Sequence, residues 1–169
     1  PPRSTLFPYT TLFRSDSGSD GELHHQRGDK EEWCLCDHCQ NMAEPRERIC
    51  CHDINEALNK YPDAITRYGN DGPFTCLTQH PGFTRNCTYP EVLENAWLSY
   101  RQQYGQNAYN GDGKESSLYR HIAYRQLARF LFGVVGKDNR LVLPSCCVTI
   151  IRLLFPDESN TYTGFLLAN

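Results

Sequence analysis

The sequence lacks any long hydrophobic run. Its longest uncharged apolar segments are residues 130–135 and 141–151, whereas a helix that crosses a bilayer needs about 18–20 apolar residues. No secretory signal peptide is visible, and the chain starts at Pro1 rather than at a methionine, so we expect a fragment of a longer product. These absences predict a chain with no membrane span and a cytoplasmic location.

An excess of basic residues is also missing. Lysine and arginine number 17 against 20 aspartates and glutamates, which gives a formal net charge of −3. Proteins whose main task is to bind nucleic acid phosphates usually carry the opposite sign. The charge therefore argues against nucleic acid as a partner, although Arg120, Arg125 and Arg129 on one predicted helix keep a nucleic-acid-binding zinc module as an alternative.

Signatures of catalysis are absent as well. The chain has no Gly-x-x-x-x-Gly-Lys-Ser/Thr loop of the kind that nucleotide hydrolases use. A thiol enzyme that uses Cys87 or Cys147 is the alternative, but no histidine is placed beside either by the sequence, and such a nucleophile needs a base. We therefore expect a protein that is not an enzyme.

The first 30 residues do not look like part of a fold. Residues 5–15 read as the translation of a common sequencing-adaptor oligonucleotide, so residues 1–15 are interpreted as an assembly artefact. Residues 16–30 are rich in serine, glycine and acidic residues, which is typical of a solvated linker. We predict a disordered tail over 1–30 and one domain over 31–169.

Cysteine, by contrast, is abundant. Nine are present, and five of them lie within residues 34–51. Such a set indicates disulfides in a secreted protein or a metal centre in a cytosolic one. The odd number, the clustering and the lack of a signal peptide favour metal. The triplet Asn86-Cys87-Thr88 formally matches a glycosylation site and favours secretion, but such triplets often occur by chance.

Apolar periodicity predicts a mainly α fold of about four helices with little strand, preceded by a long cysteine-rich loop over 31–51. One short helix is predicted after Asp53, ended by Pro62, and residues 63–83 are predicted to be loop. Three further helices are predicted over 90–104, from Ser116 or Ser117 to about Val135 with Gly136 closing the helix, and from Pro144 to Phe155. A short strand is predicted over 161–165.

The cysteine spacing predicts a zinc site of thiolates. Cys34, Cys36 and Cys39 can place three sulfurs around one ion, and a structural zinc needs four ligands. Side chains of neighbouring residues such as Cys50 and Cys51 diverge, which suggests two ions. Two tetrahedral zincs that share one bridging thiolate need seven sulfurs. The following cysteines supply that number: Cys34, Cys36, Cys39, Cys50, Cys51, Cys76 and one of Cys146 and Cys147. His38 and His52 are alternative ligands.

Several motifs together resemble one known family. They are, in chain order, Trp33-Cys34-Leu35-Cys36-Asp37-His38-Cys39, Cys50-Cys51, Cys76-Leu77-Thr78, Tyr119-Arg120-His121-Ile122-Ala123-Tyr124-Arg125, Leu143-Pro144-Ser145-Cys146-Cys147, Ile151-Arg152 through Phe155-Pro156, and Tyr162-Thr163-Gly164-Phe165. With them, residues 31–165 resemble the P2X purinoreceptor 7 intracellular C-terminal (ballast) domain family. The resemblance implies a zinc-stabilised, α-rich cytoplasmic module that regulates or scaffolds an ATP-gated cation channel, with unidentified protein partners and a trimer only if it is attached to the channel.

The resemblance also implies site residues. It implies two zinc ions held by Cys34, Cys36, Cys39, Cys50, Cys51, Cys76 and Cys146. A guanine nucleotide, GDP or GTP, would lie beside the long helix, near Arg120, His121, Tyr124, Leu141 and Leu143. Arginine suits phosphates, and tyrosine stacks on bases. The chain departs from the family where Val148 and Asp157 replace basic residues, and a carboxylate at Asp157 would repel phosphates.

Overall fold

The computed structural model describes residues 27–69, 72–135 and 140–164. The described residues form six helical regions, with the following bounds: α1, Lys30–Trp33; α2, in two consecutive pieces, Asn55–Leu58 and Lys60–Tyr68; α3, Pro81–Cys87; α4, Pro90–Tyr104; α5, Glu115–Phe132; α6, Ser145–Leu154. Short 3-10 turns lie at Pro45–Glu47, Cys51–Asp53, Leu77–Gln79, Gly105–Asn107 and Gly111–Gly113. The predicted mainly α fold is confirmed, but the count of about four helices is wrong.

Two proline residues account for helical structure in the segment predicted as loop. Pro62 lies in the first turn of the Lys60–Tyr68 piece, where a missing backbone N–H breaks no hydrogen bond, so the prediction that it ends the helix is wrong. Pro81 starts α3, capped by the His80 ring, whose Nδ1 accepts from the Gly82 N–H at 2.8 Å. The predicted loop over 63–83 is therefore partly helical. Isolated prolines at the first turn of a helix favour it rather than stop it.

The remaining helix predictions differ only at their ends. The bounds predicted for α4 are confirmed, and α6 is one residue shorter at each end than the predicted helix from Pro144 to Phe155. Helix α5 ends at Phe132, because Gly133 takes a positive φ of 70°, and Gly136 lies outside the described residues. Residues 161–164 form no strand, so that prediction is wrong over this stretch, while Phe165 lies outside the described part of the chain.

Helix α5 lies at the centre of the fold. It contacts α3, α4 and α6, and its inward face buries four apolar side chains: Ile122, Ala123, Leu127 and Leu131. The core is continuous with the cysteine-rich segment, since six cluster cysteines and Trp33 belong to the same buried set. The apolar helices thus form one wall against which the N-terminal loops fold.

The boundary predicted at residue 31 stays a prediction, although contacts with the domain begin earlier. The Arg27 guanidinium pairs with the Asp53 carboxylate at 2.6 Å and donates to the Arg48 carbonyl oxygen at 2.8 Å. Residues 1–26, which hold the adaptor-like run, lie outside the described residues. No helix among the described residues is both long and apolar enough to cross a bilayer.

Candidate metal centre

Seven cysteine sulfurs converge in two groups of four. The first group is Cys34, Cys36, Cys39 and Cys50, and the second is Cys36, Cys51, Cys76 and Cys146. Within each group all sulfurs lie within 4.8 Å of one another. Cys36 belongs to both groups, so the set has the form of two four-sulfur sites that share one thiolate.

The distances suit tetrahedral zinc. The Cys36 sulfur lies 3.8 Å from that of Cys34 and 3.7 Å from that of Cys39. A tetrahedron with zinc–sulfur bonds of about 2.3 Å has edges of about 3.8 Å. A disulfide would need a sulfur–sulfur distance of about 2.05 Å, and all nine cysteines are free thiols. The donor set therefore fits two zinc ions and not a disulfide framework.

Local backbone geometry directs these sulfurs inward. Asp37 adopts a positive φ of 64°, which turns the chain between Cys36 and Cys39. Cys50 and Cys51 begin a 3-10 turn in which the Asp53 carboxylate accepts from the Cys50 N–H at 2.9 Å. The two neighbouring side chains diverge, and each joins a different group. This is the arrangement that their adjacency in the sequence predicts.

Two sulfurs of the second group lie at helical N-termini. Cys76 caps the Leu77–Gln79 turn, and its sulfur accepts hydrogen bonds from the Thr78 N–H at 3.5 Å and hydroxyl at 3.1 Å. Cys146 lies in the first turn of α6. Hydrogen-bond donors and the positive end of a helix both stabilise a thiolate. A hydrogen bond with Cys146 first, and also one with Thr78, lower the pKa of the Cys76 thiol to about 7. Hydrogen bonds with Cys147 and then Cys36 raise the pKa of the Cys146 thiol.

Hydrogen bonding distinguishes the shared cysteine. Hydrogen bonds from Cys146 and then Cys39 hold the pKa of the Cys36 thiol far below its usual range. Cys36 is 2% exposed, and the other residues of the second group, Cys51, Cys76 and Cys146, are 0% exposed. A thiolate at the centre of both groups is the species that bridges two metal ions. Zinc binding itself stays a prediction.

The two remaining cysteines lie in the core. Cys87 and Cys147 are both 0% exposed, and neither belongs to a four-sulfur group. Burial raises the pKa of each thiol. Cys146 and Cys147 are neighbours on α6, yet the helix directs only Cys146 to the cluster.

The two alternative histidine ligands have backbone partners instead. The Nδ1 of His38 bonds the Cys36 carbonyl oxygen, which raises the pKa of the ring. The Nε2 of His52 bonds the Thr75 carbonyl oxygen at 2.7 Å. Neither ring is part of a four-ligand group among the described residues. The His38 contact stays within its own turn, whereas that of His52 joins its turn to the segment before Cys76.

The predicted nucleotide residues are divided between two places. Arg120 and Tyr124, one turn apart on α5, both face the end of α6. The Arg120 guanidinium donates to the Phe155 carbonyl oxygen at 2.7 Å and lies 3.5 Å from the Asp157 carboxylate. The Tyr124 hydroxyl accepts from the Arg152 Nε at 3.2 Å. Together with Tyr162, these residues form a cluster of two guanidiniums and two tyrosine rings.

His121 lies elsewhere. Its ring packs between Tyr100 and Tyr109, with ring centres 5.6 and 4.8 Å away. Burial, and then the charge of Arg125, lower its pKa to about 4. Leu143 packs against the core and Leu141 is 37% exposed. The structure thus brings Arg120 and Tyr124 together but directs His121 to a different cluster.

Sequence reasoning missed the partners of Arg120 and Tyr124. The Arg152 guanidinium lies 4.5 Å from the centre of the Tyr162 ring, and that of Arg120 lies 5.1 Å from it. Glu47, from the cysteine-rich loop, lies 3.9 Å from Arg152. Arg152 and Tyr162 occur in the family-like motifs and could have been found there. Glu47 had no local signal, because its role depends on a long-range contact.

Comparisons with known proteins agree with the motifs. The family model described as "P2X purinoreceptor 7 intracellular domain" matches residues 69–166. The chain is 27% identical over 149 residues to the P2X purinoceptor 7 of Mus musculus, and 28% identical over 142 residues to that of Rattus norvegicus. These matches cover 85% and 81% of this chain but only 21% and 20% of the relatives. No solved structure matches the chain significantly.

Proposed function

The chain belongs to the P2X purinoreceptor 7 intracellular domain family, and on that premise we propose that it is a zinc-binding regulatory or scaffold module without catalytic activity. The resemblance that the motifs indicated is thereby confirmed, and an intracellular domain has a cytoplasmic location. The relatives are receptors about five times longer than the matched segment. A role beneath a purinergic cation channel, with protein partners there, is part of this proposal.

One observation carries the zinc-binding function: two groups of four thiols share Cys36. Seven sulfurs in this arrangement match two tetrahedral ions with one bridge, and the sulfurs are almost all buried. Structural zinc contributes directly to folding, which suits the segment before α3, where the described residues contain only short helical pieces. Bound zinc would supply the cross-links between the loops and α6.

The neighbouring residues Cys146 and Cys147 provide a matched test. Native mass spectrometry with elemental analysis should count two zinc ions on the full chain. Cys146→Ala removes a proposed ligand and should lower the count, whereas Cys147→Ala should retain two ions because that thiol only packs in the core. Equal zinc counts in the two variants would contradict the ligand assignment, and a metal-free wild-type protein would contradict the function.

A second candidate function is the binding of a guanine nucleotide. Arg120, Arg152 and Tyr124 converge at the end of α6, and two guanidiniums beside aromatic rings suit a phosphorylated base. Two features oppose it: Asp157 pairs with Arg120, and His121 faces another cluster. We propose weak binding limited by Asp157.

The pairing of Arg120 with Asp157 makes the nucleotide proposal testable. Asp157→Asn removes the competing carboxylate and should strengthen binding of a fluorescent GDP analogue, while Arg120→Gln should weaken it. Glu158→Gln, an exposed change beside Asp157, is the control and should leave affinity unaltered. An affinity for the GDP analogue that neither substitution changes would exclude this site.

A further inference from the structure

One loop lies between two cysteines of the metal centre. Residues 40–49 join Cys39 to Cys50, and both cysteines are fully buried. The Ser145 hydroxyl donates to the Gln40 carbonyl oxygen at 2.8 Å, and the Ser145 N–H donates to the Ile49 carbonyl oxygen at 2.8 Å. Both ends of the 40–49 loop are therefore fastened to the first turn of α6, beside Cys146.

The middle of the same loop contacts the opposite end of α6. The Arg152 Nη1 lies 3.9 Å from the Met42 sulfur, and its Nη2 lies 3.9 Å from a Glu47 carboxylate oxygen. Glu47 is only 7% exposed, so water screens its charge less than that of a surface carboxylate. The position of the Arg152 guanidinium thus depends on the loop.

Arg152 in turn holds residues 156–164, which follow α6 without forming a helix. The Tyr162 ring contacts the guanidiniums of both Arg152 and Arg120. Gly164 lies directly against the loop: a β-carbon there would come within 3.1 Å of a Glu47 carboxylate oxygen, and its φ is +68°. The 156–164 segment therefore rests on the 40–49 loop both through Arg152 and by direct contact.

We infer that the 40–49 loop couples the metal centre to the 156–164 segment, with Glu47 as the positioning residue. The docked segment holds the loop, and through it Cys39 and Cys50, in the geometry that retains metal. This inference rests on the proposed zinc-binding function. Coupling between two sites is reciprocal, so it is measurable from the segment side, where no variant touches a metal ligand.

Zinc release is the appropriate measurement. The full chain is loaded with zinc, and release to an excess of a chromogenic chelator is followed. Gly164→Ala and Tyr162→Ala should each speed release about 2- to 30-fold, the range of coupling that intervening side chains carry. Thr163→Ala, an exposed change between them, is the matched control and should leave the rate unchanged.

A double-variant cycle isolates the role of Glu47. Glu47→Ala removes both the contact with Arg152 and the close approach to Gly164, so Gly164→Ala should add little in that background. Hydrogen exchange over 156–164 verifies that the segment is loosened in the variants. Loosened segments with unchanged zinc release would overturn the coupling and leave the zinc function intact. A chain that takes up no zinc would overturn both.

Discussion

The sulfur of Cys146, in the last described helix, lies within 4.8 Å of the sulfur of Cys36, in the first described loop. This contact joins the two ends of the domain through one thiolate cluster. Because Cys36 also belongs to the other group of four thiols, loss of its sulfur affects both groups at once. The cluster is therefore a single unit rather than two independent sites.

Replacement of the shared cysteine should lower the number of bound zinc ions more than replacement of a cysteine that belongs to one group only. Cys36→Ser removes a ligand from both four-sulfur groups, whereas Cys34→Ser removes one from the first group only. We expect Cys34→Ser to retain at least the ion of the second group and Cys36→Ser to retain fewer ions and to lose helical circular dichroism. Native mass spectrometry counts the zinc ions that each variant retains. Equal losses of zinc in the two variants would contradict the shared position of Cys36.

The buried ring of His121 should make stability depend on pH. Its pKa in the fold, about 4, lies below the ordinary value of 6.5, so the unfolded chain binds more protons between these values. The free energy of unfolding should therefore fall as the pH drops from 6.5 towards 4. His121→Phe keeps an aromatic ring between Tyr100 and Tyr109 and should reduce that dependence.

Urea unfolding of both proteins at pH 7 and pH 5 measures this effect. His80, whose pKa burial also lowers, is present in both and cancels in the comparison, as do the thiols. If the wild type and His121→Phe lose the same stability on acidification, the histidine is not held neutral by the fold.

Two glycines of one loop should differ in their tolerance of a β-carbon. Gly111 and Gly113 both have positive φ, 77° and 79°, so alanine is strained at either position by about 1–2 kcal/mol. At Gly111 the new carbon would also lie 2.8 Å from the Leu118 nitrogen and β-carbon, whereas nothing lies within 4 Å at Gly113.

Gly111→Ala should therefore destabilise the chain by about 1–3 kcal/mol more than Gly113→Ala, because α5 would have to shift at its first turn. Thermal or urea unfolding of the two variants gives the difference directly. Equal losses of stability would mean that the turn before α5 shifts to accommodate the new carbon at no cost in free energy.

Truncation of a buried side chain of α5 should lower the free energy of unfolding more than truncation of an exposed side chain of a neighbouring helix. Leu127 is 0% exposed and belongs to the core, whereas Leu98 on α4 is 51% exposed. Leu127→Ala should lower the free energy of unfolding by about 2–5 kcal/mol, because it leaves a cavity. Leu98→Ala should change it by about 0.5 kcal/mol or less. A similar cost for the two changes would be inconsistent with α5 as the centre of the core.

The sequence by itself determined the mainly α class, most helices and the set of convergent cysteines. Apolar periodicity set α4, α5 and α6, because a helix buries residues at regular local intervals. The predictions that Pro62 ends a helix and that Pro81 lies in a loop were wrong. A proline in the first turn of a helix and one that breaks a helix cannot be told apart without the surrounding contacts. The thiolate chemistry was readable because ligand type is a property of each residue.

Tertiary structure alone decided the division of those cysteines and the positions of their neighbours. Which sulfurs share a group depends on how loops far apart in sequence close around α6. The spacing left Cys146 and Cys147 equivalent, and only the family resemblance favoured Cys146. His121 follows Arg120 directly in sequence, yet the helical turn directs its ring to Tyr100 and Tyr109. The contact of Glu47 with Arg152 likewise has no local signature, because only packing brings the two charges together.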